Sequence, residues 1–183
     1  MNTSLLHGVR PTTPGAAAVA QSLRAMSGPY LRGRRWALGA DLTAITALGV
    51  VVLYQAGALR HLPGRAGDQV AASPRAYWAM HTPDAALGIA SYAVSIGLAT
   101  AGSAERYRCT PWLSYLFAAK LLGDGVIAAA LLREEQRSRN GLCWWCLVAS
   151  AAALFAAPLG IPEALAAKRH SISGGSVRWA EHA

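Results

Sequence analysis

The sequence predicts an all-α fold, a polytopic membrane protein in which four transmembrane helices form one bundle. Of the 183 residues, 54% are hydrophobic and only 14% are charged, and the mean hydropathy of +0.28 is higher than that of an ordinary soluble domain. The apolar residues are concentrated in blocks at 36–59, 85–101, 112–132 and 142–159. Each block approaches the ~17–25 residues that a helix needs to cross a bilayer.

The first block is predicted to be a retained helix rather than a cleaved leader. The tail before it has no compact apolar core followed by a small-residue cleavage site. Helix two begins behind Pro83 and helix three behind Pro111, because proline is well tolerated in the first turn of a helix. Helix four begins near Leu142, runs to Pro158 or a little beyond, and is closed by Pro162. The short polar connection before it makes helices three and four antiparallel neighbours.

The chain is predicted to contain a single domain, the membrane bundle at 36–165. A basic N-terminal tail at 1–35 and a C-terminal tail at 166–183 flank it. Within the N-terminal tail, a short helix over 16–26 is expected to lie on the membrane surface. Neither the tails nor the loops are long enough to bury a second core.

The formal charge of +8 is distributed as in a membrane protein. In a soluble protein this charge would favour nucleic acid as a partner, but here Lys and Arg flank the apolar blocks, and we expect no nucleic acid. Ten of them fall in the two tails and the second loop, and six in the first and third loops. Because moving Lys and Arg across the membrane is costly, both termini are predicted to be cytoplasmic and loops one and three to face outside the cell membrane. Membrane lipid is the expected partner of the basic tails.

Two ionisable residues, Lys120 and Asp124, lie inside helix three at a spacing of four. Either one alone would be costly in hydrocarbon, whereas on one helical face they neutralise each other. An internal ion pair that holds the bundle together is the first interpretation, and a proton path or a partner contact is the alternative. Asp41, close to the cytoplasmic end of helix one, is expected to reach the interface or to pair with an arginine of the tail.

A CxxC pair, Cys143 and Cys146, opens helix four. The free N–H groups and the dipole at a helix N-terminus favour a thiolate, and the spacing lets the two sulfurs form a disulfide. By the predicted topology the pair lies at the outer face, in an oxidising compartment, where cycling between dithiol and disulfide is chemically natural. Trp144 and Trp145, between the cysteines, offer flat faces that could stack on a planar ring.

Two segments carry a resemblance to a known family. The segment at 141–147 reads Gly-Leu-Cys-Trp-Trp-Cys-Leu and opens the fourth helix with its CxxC. The segment at 82–92 opens the second helix, and its Gly88 and Tyr92 match a pattern of Pro, a few apolar residues, Leu-Gly and a Tyr four residues after the Gly. In both segments the chain resembles the vitamin K epoxide reductase family, and the resemblance covers roughly residues 36–165.

The resemblance implies a four-helix bundle around a quinone, menaquinone or ubiquinone, that exchanges electrons with the CxxC. It implies that Cys146 faces the quinone ring and that Cys143 exchanges with an outside thiol. Where animal members have an Asn that hydrogen-bonds a quinone carbonyl, this chain has Asp84, and where they have a Tyr four residues after the second cysteine, it has Ser150. The candidate quinone-binding residues are Trp144, Trp145, Asp84, Gly88, Tyr92 and Ser150.

The first loop departs from the family pattern. Most members carry a second cysteine pair there, which shuttles electrons to a thioredoxin-like partner or fused domain, and residues 60–83 contain no cysteine. Cys109 is not expected to replace that pair, because helix three rises about 31 Å and a disulfide needs Cα atoms within about 7 Å. No thioredoxin-like domain is fused in this sequence. We therefore expect Cys143 to exchange directly with a thioredoxin-like or other thiol-bearing client protein on the outer face.

Two other functions stay open at this point. The chain could be a non-catalytic subunit or assembly factor of a larger membrane complex, which the loss of the shuttle pair favours. It could also bind a soft metal, since His61 and His81 lie in the loop on the same side as the CxxC and thiolates bind Cu(I) and Zn(II). The spacing matches no zinc motif, so no metal is assigned. A c-type haem attachment is excluded because Leu147, not His, follows the pair.

Overall fold

The computed structural model describes residues 28–62, 84–137 and 143–180, with single helical positions at 15, 18 and 21. Side chains after Ile172 lie outside the described part, as do most of the helix predicted over 16–26 and most of the first loop. The described residues form helices and no strand. In chain order these are α1 (Leu31–Gln55), α2 (Asp84–Thr100), α3 (Arg106–Cys109), α4 (Pro111–Arg137), α5 (Trp144–Ala156), a 3-10 turn (Ala157–Gly160) and α6 (Ile161–Ala180).

The predicted all-α membrane bundle is confirmed. Three helical stretches in the described part of the chain are long and apolar enough to cross a membrane, namely Leu31–Gln55, Pro111–Arg137 and Trp144–Ile172, and α2 is a shorter apolar helix of 17 residues. Large apolar side chains cover the outside of the bundle, where lipid tails rather than water surround them. Examples that are about half exposed or more are Trp36, Leu42, Val126, Ile127 and Phe155.

Small residues bring the helices close together along the core. On α1, Ala37, Ala40, Ala44 and Ala47 are buried at helical spacing. They pack on alanines of α5 and, towards α4, on Phe117 and Leu121. Small side chains allow the helix backbones to approach closely. In a bilayer this close van der Waals packing stabilises helix association, because lipid tails are as apolar as the side chains and the hydrophobic effect does not drive it.

The prediction that Pro162 closes helix four is wrong. The helix changes into a 3-10 turn at Ala157–Gly160, which contains Pro158, and Pro162 is the second residue of α6. Proline is tolerated there because the N–H groups of a first turn lack helical partners anyway. Glycines let this turn pack tightly on α4, since a Cβ on Gly160 would lie 2.8 Å from the Cα of Ala118.

At one end of the bundle a buried charge cluster joins four helices. The Glu163 carboxylate of α6 accepts hydrogen bonds from Arg34 of α1 (Nη2 to Oε1, 2.8 Å), from Arg106 of α3 (Nε to Oε1, 2.6 Å) and from Ser114 of α4 (Oγ to Oε1, 2.7 Å). Arg34, Arg106 and Glu163 are at most 3% exposed. From their positions in the sequence the two arginines are only charges that flank the apolar blocks. The structure shows that they hold the start of α1, α3 and α6 at the same end of the bundle.

In the middle of the bundle the predicted ion pair is confirmed. Lys120 Nζ lies 2.5 Å from Asp124 Oδ2, and Ser91 and Ser95 of α2 donate hydrogen bonds to the same carboxylate, at 3.1 and 2.9 Å. The expectation for Asp41 is wrong, because Asp41 is 1% exposed and belongs to this region rather than to the interface. The reason is that α1 begins at Leu31, earlier than predicted, which places Asp41 almost three turns inside the helix.

Candidate functional site

The cysteine pair lies at the end of the bundle opposite to the Glu163 cluster. Cys143 is the N-cap residue of α5, with φ −76° and ψ 113°, and Cys146 lies in the first turn. Both thiols are free and hydrogen-bonded to each other. Cys143 is fully buried among Val51, Leu62 and Ala85, and Cys146 is half-buried. The pair is therefore close enough to react and is shielded from bulk water.

The end of α5 stabilises a thiolate on Cys143. The hydrogen bond from the Cys146 thiol lowers the pKa of Cys143 to about 7, against the opposing effect of burial. The backbone N–H groups of Cys146 and Trp145 act in the same direction. This is the effect expected of a helix N-terminus, where unpaired N–H groups favour negative charge. The thiolate, which is the reactive form, is therefore favoured on Cys143.

Glu135 is a site residue that sequence reasoning missed. One of its carboxylate oxygens (Oε1) accepts a hydrogen bond of 2.5 Å from the backbone N–H of Cys143. Its negative charge disfavours the thiolate and raises the pKa of Cys143, which opposes the larger lowering by the Cys146 hydrogen bond. The helix α4 extends past Leu132 to Arg137 and therefore includes Glu135. A prediction that the acidic segment after Leu132 is helical would have placed Glu135 near the start of α5.

Helix α2 contributes Gly88 and Tyr92 to the same half of the bundle. A Cβ on Gly88 would lie 2.6 Å from Cδ1 of Leu48, so Gly88 lies where α2 contacts α1. Tyr92 is buried in a cluster with alanines of α1, α4 and α5, and Trp145 packs against that cluster. Trp145 also packs beside Cys143. The structure thus brings Tyr92, Trp145 and the cysteine pair into one region.

The other candidates take up different positions. Ser150 is buried one turn after Cys146 on α5. Asp84 is exposed at the start of α2, where its Oδ1 accepts hydrogen bonds from the Ala85 N–H (2.7 Å) and from Gln55 Nε2 (3.0 Å). Trp144 is 60% exposed on the outside of the bundle. Of the two tryptophans, Trp145 is therefore the one that packs toward the cysteines.

Cys109 lies far from this region, as predicted. It is exposed in α3, at the other end of α4 from Cys143. Among the residues that the structure describes, no group of three or more His, Cys, Asp or Glu side chains is arranged to hold a metal ion. His61 is described and exposed, and His81 lies outside the described residues.

One comparison with known proteins identifies the family. A family model described as "Vitamin K epoxide reductase family" matches residues 36–161, more than two thirds of the chain. The chain belongs to the vitamin K epoxide reductase family. Neither a comparison with curated proteins nor one with solved structures returns a match.

Membership of the vitamin K epoxide reductase family makes this a membrane redox protein of that type. The matched range contains the CxxC together with all the predicted quinone-binding residues and Glu135. It also contains Asp41, Lys120 and Asp124, whereas Glu163 lies just after it. The resemblance seen in two short segments therefore extends over the whole membrane core.

Proposed function

We propose that the protein passes electrons between the Cys143 and Cys146 pair and a membrane quinone, menaquinone or ubiquinone. A thiol-bearing client on the outer face, thioredoxin-like or other, supplies or receives the thiols. One observation carries the proposal: in a member of a redox family, two thiols lie at a helix N-terminus, and the hydrogen bond from Cys146 lowers the pKa of Cys143 to about 7. Such a pair is poised for exchange because the thiolate is the reactive species.

The residues around the pair suit a quinone. The Trp145 ring is half-buried beside Cys146 and offers a flat apolar face, and the Tyr92 hydroxyl is a donor for a carbonyl oxygen. Gly88 lies where α2 contacts α1, Ser150 lies on the same helix as the pair, and Asp84 and Trp144 are exposed. When bound, a quinone accepts two electrons and two protons.

The thiol chemistry divides between the two cysteines. A client thiolate attacks the Cys143 sulfur of the oxidised pair, a mixed disulfide forms at Cys143, and Cys146 leaves as a thiolate. The client's second thiolate then attacks the client sulfur that is bonded to Cys143. A disulfide forms within the client, and Cys143 is released as a thiolate. The low pKa of Cys143 makes it a good leaving group in this step. The client is oxidised to a disulfide, and the pair gains two electrons. In the reverse direction the same steps reduce the client.

We propose a topology in which the cysteine end faces outside and both termini are cytoplasmic. The Lys and Arg bias supports it. Arg34, Arg106 and Glu163 meet at one end, and Cys143 lies beyond the opposite end of α4. In this orientation the exchange of thiols takes place in the oxidising compartment.

A non-catalytic subunit or assembly factor of a larger membrane complex is the second candidate. The burial of Cys143 favours it, because Leu62 and Ala85 cover the sulfur that a client would have to reach. In this case the pair is a structural disulfide or dithiol that does not turn over. The two candidates differ in whether the redox state of the pair responds to quinone.

Trapping of thiols in intact membranes tests the proposal. A mass-tagged maleimide reports the redox state of the pair with and without added quinone, and the Cys146→Ser variant reports clients held by Cys143. We expect quinone to oxidise the wild-type pair, and Cys146→Ser to retain a client in a mixed disulfide. Cys109→Ser, at the exposed cysteine of α3, is the matched control and should behave like wild type. A wild-type pair that stays oxidised under all conditions, together with a Cys146→Ser variant that still assembles and holds no client, contradicts the proposal and supports the second candidate.

A further inference from the structure

A carboxylate oxygen without a hydrogen-bond partner lies in the membrane core. Asp41 of α1 is 1% exposed, and its Oδ2 is buried with no hydrogen-bond partner. The charges of Asp124 and Lys120 both act on it from α4. The thiol chemistry described above makes no use of this group.

The polar groups of the cluster are already committed to one another. Lys120 donates to both oxygens of Asp124, at 2.6 and 2.5 Å, and to the hydroxyls of Ser91 and Ser95, at 2.9 and 3.1 Å. The two hydroxyls in turn donate to Asp124. The Lys120 ammonium and both hydroxyls are therefore hydrogen-bonded within the Lys120–Asp124 ion pair. None of these bonds is made to Asp41.

The charge balance of this region requires a further positive charge. With both carboxyls ionised, Asp41, Asp124 and Lys120 would carry a net charge of −1 in the membrane core, which is costly. The other helices that face Asp41 do not compensate it, since α5 carries no charged residue and α2 contributes Tyr92. A proton on Asp41 makes the cluster neutral. A metal cation fits less well, because it takes several oxygen ligands and the hydroxyls of Ser91 and Ser95 are engaged with Asp124 and Lys120.

Tyr92 links this cluster to the cysteine pair. The charges of Asp41 and Asp124 both act on Tyr92, and Tyr92 and Trp145 belong to one packed cluster. Trp145 directly precedes Cys146. A titratable hydroxyl is thus influenced by the buried carboxyl and belongs to the cluster on which the residue before Cys146 packs.

We propose that Asp41 is a proton-binding site in the membrane core and that it supplies one proton when quinone oxidises the cysteine pair. The second half of this proposal rests on the proposed function. With Cys143 as a thiolate, the reduced pair holds two electrons but only one proton, on Cys146, whereas a quinone takes up two of each. The second proton leaves the Asp41 carboxyl. The S–H bond of Cys146 and the O–H bond of Asp41 break, the S–S bond and two quinol O–H bonds form, and the negative charge passes from Cys143 to Asp41. Asp41 is then reprotonated from water.

Infrared spectroscopy of the membrane-embedded protein tests the proton site without any turnover. We expect a carbonyl band of a protonated carboxyl that disappears in Asp41→Asn, shifts in Asp41→Glu and is unaffected by sodium concentration. Glu105→Gln is the matched control, since Glu105 is 62% exposed and should leave the band unchanged. A band that is absent in wild type, that survives in Asp41→Asn or that is abolished by sodium overturns the proton site.

Rapid mixing of the reduced protein with quinone tests the use of the proton. We expect disulfide formation to be slowed about 100-fold in Asp41→Asn, as for loss of a general acid, and to be largely restored in Asp41→Glu. Oxidation at the wild-type rate in Asp41→Asn overturns the role of Asp41 alone. A wild-type pair that quinone does not oxidise contradicts the proposed function and this role together, while the infrared band separately decides the proton site.

Discussion

The Glu135 carboxylate accepts a hydrogen bond of 2.5 Å from the backbone N–H of Cys143, eight residues further along the chain. This contact joins the end of α4 to the start of α5, because Cys143 is the N-cap residue of α5. It satisfies a backbone donor that a helix N-terminus leaves free, and it places a negative charge beside a cysteine that is otherwise stabilised as a thiolate. The redox pair therefore lies between opposing electrostatic influences, and each can be removed separately.

Removal of the Glu135 charge should lower the pKa of Cys143 below about 7. In Glu135→Gln the amide oxygen can still accept the Cys143 N–H bond, but the charge that raises the Cys143 pKa is gone. At a pH just below neutral the thiolate fraction should therefore increase. The ultraviolet absorbance of the thiolate, followed against pH, measures this. Glu134→Gln, an exposed neighbour on α4, is the control, and an unchanged titration midpoint in Glu135→Gln would show that its charge does not reach the sulfur.

Loss of the Cys146 thiol should shift the same titration in the opposite direction. The hydrogen bond from Cys146 is the largest cause of the lowered Cys143 pKa, so Cys146→Ala should raise the midpoint above about 7. The thiolate of Cys143 would then form only at higher pH. Cys146→Ser keeps a hydroxyl donor and should lie between wild type and Cys146→Ala. Equal midpoints in wild type and Cys146→Ala would mean that the helix end, and not the partner thiol, stabilises the thiolate.

Neutralisation of Glu163 should destabilise the bundle strongly. Glu163→Gln leaves Arg34 and Arg106 buried without a counter-charge, and removal of one partner from a buried ion pair costs about 3–5 kcal/mol. Denaturant or SDS titration in detergent micelles measures the free energy of unfolding. The control is Glu105→Gln, which breaks an exposed pair with Arg108 at 3.7 Å and should cost at most about 1 kcal/mol. Similar losses in the two variants would contradict the structural role of the cluster.

Substitution of two glycines of α4 by alanine should change the free energy of unfolding differently. A Cβ on Gly125 would lie 2.7 Å from the Cβ of Ala157, whereas nothing lies within 4 Å of a Cβ on Gly123. Overpacking in Gly125→Ala should lower the free energy of unfolding by about 1–3 kcal/mol. Gly123→Ala should leave it unchanged or raise it by up to about 1 kcal/mol, because alanine favours the helix. The same titration compares them, and a neutral Gly125→Ala would show that the 3-10 turn can move away from α4.

Local properties of the chain were sufficient to predict the membrane helices and to identify the redox pair. Apolar blocks long enough to cross a bilayer predict the bundle, and a CxxC behind a polar connection predicts thiols at a helix N-terminus. The pair Lys120 and Asp124 could be predicted as well, since residues four apart on a helix are neighbours whatever surrounds them. Helix ends were predicted less well, because Pro162 is compatible both with closing a helix and with opening one.

A membrane bundle with a dithiol at one end follows from the order of the residues, because length, hydropathy and short spacings are properties of neighbouring residues. Which charges are buried together depends instead on how the helices pack. Arg34 and Glu163 are separated by 129 positions, and the charges of Lys120 and Asp124 act on Asp41 only because the face of α1 that carries Asp41 is turned into the bundle. Small residues occur on many faces of these helices, so the pattern of hydropathy does not specify which faces meet. Which helix faces contact one another depends on close packing and charge compensation, and these are properties of the assembled bundle.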